Sequence, residues 1–165
     1  MFKKTVFIFF IFITIQAQAQ NSKDSIYEDH SISTQLFTKC FENLNQGSDI
    51  FENYPALKSM KFCSLIECMF LLSYEEQAIQ LAAKNRLLGI TTQLYKEGNP
   101  VYLINGLDSF LTAQEKNKNL DDDNHLVYIT FAECTAPKFL RDGAQIVNDQ
   151  TRLLINQESS LGTSK

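Results

Sequence analysis

The sequence predicts an all-α domain, a compact bundle of five to seven helices around a central apolar helix at about 56–72. Three observations carry that prediction. Apolar residues recur three and four positions apart through most of the chain, which is the spacing of one helix face. The segment Phe62 to Leu72 is apolar at nine of eleven positions, and a helix apolar on all sides belongs in the middle of a core. Helix stop and start signals punctuate the chain, most clearly at Gly98-Asn99-Pro100, where stop, cap and first-turn proline follow one another.

The first nineteen residues stand apart from the bundle. Lys3 and Lys4 precede an apolar run from Val6 to Ile15, and Ala17-Gln18-Ala19 has the small-x-small pattern of a cleavage site. These are the three regions of a secretory signal peptide. The run is about half the roughly 20 residues a membrane span needs, so no stable membrane anchor is expected after cleavage. Gln20 stands where a lipoprotein would need Cys. The expected division is a signal peptide over 1–19, a flexible N-terminus over 20–30, one helical domain over 31–156 and a loose tail over 157–165.

Within the domain, Leu36, Phe37, Cys40, Phe41 and Leu44 mark a helix over 33–46, with Gly47 as its stop. Asp49 with Glu52 resembles a capping box, and Asn53 before Pro55 starts the next helix. Ser73-Tyr74-Glu75-Glu76 reads as a capping box opening a long helix to Glu97, with Gly89 a candidate kink. After Pro100, Leu103, Ile104, Leu107, Phe110 and Leu111 form a further helical stripe. Residues 116–124 are polar and read as a loop. His125 to Glu133 contains β-branched and aromatic residues, which allows a short isolated strand near 126–132. A strand there has no evident partner, and Asp121-Asp122-Asp123 suits a helix N-terminus, so helix is favoured. Thr135 before Ala136-Pro137 starts the last helix.

Charge and cysteine usage narrow the function classes. The chain has 15 basic and 19 acidic residues. Without Lys3 and Lys4 the balance is 13 to 19, a net of about −6. No basic run exists, and nucleic-acid binding needs a cationic face, so no nucleic-acid partner is expected. Cys40, Cys63, Cys68 and Cys134 are an even number, which in an exported chain favours disulfides. On one helix Cys63 and Cys68 would lie about 140° apart around the axis, too far for the roughly 3.8 Å Cβ separation of a bridge. One of them is therefore expected to reach Cys40 and the other Cys134, in either order. Their spacing does not match zinc-ligand pairs, and no metal or cofactor is expected.

Asp121, Asp122 and Asp123 fail the EF-hand pattern, because Leu126 and Val127 occupy the positions where a calcium loop needs other residues. They remain a candidate partner-binding patch for a basic surface. Glu67 is a carboxylate inside the most apolar segment and a candidate buried functional group. No catalytic motif occurs and no catalytic residue is assigned. The reading that fits these features is an exported protein, periplasmic or extracellular, that binds another envelope or secreted protein without catalysis, as an inhibitor or immunity-type protein does. The alternatives are a carrier enclosing a small apolar ligand, or an enzyme whose site gathers Glu67, Glu133 and His125.

Overall fold

The computed structural model describes residues 28–44, 50–55, 57, 62–118 and 125–162. Eight elements follow one another: α1 (Glu28–Thr38), α2 (Ile50–Asn53), α3 (Leu65–Leu71), α4 (Gln77–Lys96), β1 (Val101–Asn105), α5 (Ser109–Lys118), β2 (Val127–Ala132) and α6 (Lys138–Gly162). The architecture is mixed α/β and not all-α. Its helices surround a two-stranded parallel sheet of β1 and β2.

Both strands overturn the helical expectation. In β1, Val101 and Leu103 are buried while Tyr102 and Ile104 are half-buried, a period of two. In β2, Val127 and Ile129 repeat that pattern. The register places Tyr102 beside Tyr128, and their rings lie 5.7 Å apart. A parallel pair needs a long crossover, which α5 supplies. Gly106, at a φ of +127° that side chains disfavour, turns β1 toward α5, and its N–H donates to Ala132 O at 3.1 Å.

A two-stranded sheet has two open edges, and here a helix-borne asparagine closes each. On α6, Asn148 accepts from Leu103 N–H at 2.7 Å and donates to Leu103 O at 2.8 Å. On α5, Asn117 accepts from Tyr128 N–H at 2.8 Å and donates to Tyr128 O at 2.9 Å. Each carboxamide stands in for one residue of a third strand. Thr151 adds a bond to Val101 O at 2.8 Å. These contacts satisfy backbone groups that would otherwise be buried and unpaired.

The core joins α3, α4, the sheet and α6 through Leu65, Met69, Leu87, Ile90, Leu94, Val101, Ile129 and Val147. Helix α4 runs unbroken through Gly89. It ends at Gly98, φ +77°, where Gly98 N–H bonds to Tyr95 O and Asn99 N–H to Leu94 O, the paired bonds of a Schellman stop. Its N-cap is Glu76, and no side chain caps it there, contrary to the expected box. Helix α6 packs tightly on α3 at Gly143, where a Cβ would lie 2.7 Å from Met69 Cγ.

Several boundaries move. The expected helix over 33–46 is α1, which ends at Thr38 and begins at Glu28, inside the stretch expected to be loose. The expected helix over 56–72 is helical only from Leu65 to Leu71, and residues 56 and 58–61 lie outside the described residues. Helix α6 continues to Gly162, into the stretch expected to be a loose tail. The signal segment 1–19, Gly47, Asp49 and Asp121 to Asp123 also lie outside the described residues. No described helix is long and apolar enough to cross a membrane.

Candidate functional site

Cys40 and Cys63 are joined by a disulfide across a sequence separation of 23. Cys63 lies outside α3, in the non-helical residues before it, so the helical geometry that separates it from Cys68 does not apply. The expected second bridge is not formed. Cys68 is a buried free thiol and Cys134 an exposed one, following β2. A thiol inside the core cannot meet one on the surface without rearrangement. Burial pushes the Cys68 thiol up to about 12, partly offset by nearby Arg86, and a neutral thiol is a poor nucleophile.

Arg86 organises the same region and was not singled out by sequence. It is buried on α4, and its guanidinium donates to Phe62 O at 2.7 Å and to Leu44 O and Phe41 O. Phe41 N–H meanwhile donates to Cys63 O at 2.8 Å. The segment after α1 is thus held by the disulfide, the Phe41–Cys63 backbone bond, Arg86 and the Lys39–Glu97 ion pair. Burial lowers the pKa of Arg86. The arginine fork explains the choice of residue, because five fixed donors can satisfy several carbonyls at once.

Glu67 is a structural carboxylate. Its Oε2 accepts from Ser64 N–H at 3.1 Å, from Ser64 Oγ at 2.9 Å and from Cys63 N–H at 3.3 Å, while Glu67 N–H donates to Ser64 Oγ at 3.4 Å. This is a complete capping box at the start of α3. The Glu67 carboxylate is thus committed to the start of α3. The dispersed enzyme site also fails to assemble. His125 and Glu133 flank β2 at opposite ends, about 25 Å apart at roughly 3.3 Å per strand residue. Among the described residues no group of three or more His, Cys, Asp or Glu side chains gathers as a metal site.

What the surface does bring together is apolar. An open groove of about 640 Å³ runs between the end of α3, the first turns of α4 and the first turns of α6. Leu72, Leu81, Phe139 and Ile146 line it. Leu81 is 60% exposed. Beside the groove, Phe70 is 46% exposed and packs on Phe139 with ring centroids 5.9 Å apart. Single exposed apolar residues are ordinary, whereas a cluster signals an interaction site. The polar rim holds Gln77, Gln80, Lys84 and Lys138. Lys138 is paired with Asp142 at 2.5 Å, and Lys84 makes no ion pair among the described residues.

A second open cleft, about 570 Å³, is lined by Tyr95, Lys96, His125, Ile155 and Glu158. The Tyr95 hydroxyl donates to the Glu158 carboxylate, and that bond pushes its pKa up to about 12. Tyr95 is therefore a fixed donor at neutral pH, tying the end of α4 to α6.

The chain matches no protein-family model, and searches of curated proteins and of solved structures returned no significant match.

Proposed function

We propose that this protein is an exported, non-catalytic binding module that docks on another secreted or envelope protein and neutralises or inhibits it. The observation that carries the reading is the convergence of Leu81 and Phe139 on one open groove, with exposed Phe70 packed against Phe139 beside it. Its partner is a segment presenting two or three apolar side chains with a carboxylate that meets Lys84. A groove of this size suits side-chain anchors, and an unpaired cation at its rim supplies charge selectivity. Export is supported by the Met1 to Ala19 pattern and is compatible with the Cys40–Cys63 bridge.

The test is affinity capture from envelope extract and culture supernatant, with wild type beside three variants. Leu81→Glu places a charge in the groove and Lys84→Glu reverses its rim. Leu153→Glu alters an exposed leucine on α6 that does not line the groove. The expected result is one specific partner, retained by L153E and lost by both groove variants. Absence of any specific partner, or equal capture by all three variants, refutes the proposal.

A further inference from the structure

The first two turns of α4 present a stripe of side chains to the groove. Gln77, Gln80, Leu81 and Lys84 line it, at the i, i+3, i+4, i+7 spacing of one helix face. All four are exposed. Glu75 and Glu76, also exposed, stand immediately before the helix. Glu75, Glu76 and Lys84 make no ion pair among the described residues. The stripe thus has acid before it, uncharged residues and one apolar anchor in its middle, and a base at its end.

That order is self-complementary. In an antiparallel pair of helices centred on Gln80 and Leu81, residues after the centre face residues before it in the other copy. Lys84 then falls beside Gln77, within about one residue of Glu76 of the second copy at the helical rise. A two-fold axis makes the same contact twice. The two Lys84 ammonium groups lie about 10 Å apart along the axis at about 1.5 Å per residue, beyond the Debye length of about 8 Å. A parallel pairing would instead set acid on acid and base on base.

We propose that a second copy of this chain occupies the groove, with α4 packed antiparallel on α4 and Leu81 of each copy seated among Leu72, Phe139 and Ile146 of the other. The proposal rests on the groove being a docking face, as argued above, and adds what fills it when no other protein is bound. The face calls for an apolar anchor with a carboxylate that meets Lys84. The chain itself offers both, in Leu81, 60% exposed, and in Glu76 before it. Because α6 forms the opposite wall of the groove, each α4 lies between the α4 and α6 of its mate, an arrangement of four packed helices. The contact spans about two turns of α4 and the facing turns of α6, so it belongs with the small, transient interfaces under about 1,200 Å².

The test is sedimentation velocity of the disulfide-bonded protein, with the exposed Cys134 thiol alkylated so that no intermolecular disulfide forms. The expected result is a reversible monomer–dimer equilibrium with a Kd between about 10 μM and 1 mM, the weak end of the affinity scale. Leu81→Glu abolishes the dimer, and Leu153→Glu, outside the groove, leaves it unchanged. Lys84→Glu and Glu76→Lys each set like charges together and weaken it about fivefold, the value of two exposed ion pairs. The double variant restores the opposite charges and returns the Kd to within about twofold of wild type. A monomer at every concentration up to about 1 mM, a dimer indifferent to L81E, or a double variant no tighter than either single one overturns the proposal. Capture of another protein is read separately. The double variant still carries glutamate at position 84, so it regains the dimer while the foreign partner stays lost.

Discussion

Replacing Asn148 tests how a two-stranded parallel sheet survives inside a largely helical protein. Asn148→Leu removes both bonds to Leu103, the acceptor contact at 2.7 Å and the donor contact at 2.8 Å. Leu103 is 2% exposed, so water has little access to the groups released. Two net hydrogen bonds contribute about 1 kcal/mol each, and leaving a buried group unpaired costs about 1–3 kcal/mol. We expect a loss of about 2–4 kcal/mol. Asn148→Asp separates the two bonds by pH. The ionised carboxyl still accepts from Leu103 N–H but opposes Leu103 O, whereas the protonated carboxyl donates to that oxygen. The neutral form is thus favoured in the folded state, and the folded pKa rises above the ordinary value of about 3.9. Stability from such a group is fully present below the unfolded pKa and is lost as pH rises through the folded one. A penalty of about 2 kcal/mol corresponds to about 1.5 pH units, placing the loss between about pH 4 and 5.5. Urea denaturation of wild type and both variants from pH 3 to 7 reads the difference at each pH. A pH-independent deficit for N148D, or N148L within about 0.5 kcal/mol of wild type, refutes the edge-closing role.

Three further outcomes follow from the packing. Gly143→Ala gains about 1 kcal/mol in helix propensity but sets a methyl 2.7 Å from Met69 Cγ and 3.2 Å from Leu72 Cδ1. Overpacking costs about 1–3 kcal/mol, so thermal denaturation should show a net loss near 1 kcal/mol, and in a Met69→Ala background the same substitution should stabilise. A rise in Tm for the single variant contradicts the contact. Arg86→Met leaves the Phe41, Leu44 and Phe62 carbonyls without their donor and should lower stability by about 3 kcal/mol. Arg86→Lys, a point charge without the fork, should recover less than half of that in denaturant melts. Thiol titration without reductant should find one reactive group in the folded protein, Cys134, and two after denaturation. Because the Cys68 pKa is raised from 9.0 to about 12, its contribution to stability is full below pH 9 and drains away toward pH 12. Cys68→Ala should flatten that alkaline decline, and an unchanged slope counts against the assignment.

Local signals were the legible part of this sequence. The long helix α4 and its stop at Gly98-Asn99-Pro100 follow from spacing and turn chemistry within a few residues of one another. The strands were not legible, because a parallel pair is joined by contacts 26 residues apart, Val101 to Val127. A strand over Val127 to Ala132 shows no mate in the sequence, because the mate, Val101 to Asn105, carries an apolar stripe that continues at helical spacing into Leu107, Phe110 and Leu111. Asn117 and Asn148 carried no signal either, since an asparagine on a helix looks like any solvent-facing residue until its strand is placed. The capping role of Glu67 is legible in the sequence. Ser64-Leu65-Ile66-Glu67 has the same S-x-x-E spacing as Ser73-Tyr74-Glu75-Glu76, and only the former closes as a capping box. The exposed groove was beyond reach, because it depends on where α3, α4 and α6 converge.

The position of the Cys40–Cys63 bridge bears on the order of events during synthesis. Cys40 and Cys63 are the first two cysteines in the chain. A polypeptide delivered N-terminus first into an oxidising compartment therefore presents its native pair before Cys68 and Cys134 arrive. For such a chain the Cys40–Cys63 pair is complete before Cys134 emerges, and folding of α3 buries the Cys68 thiol in the core, away from exchange with the bridge.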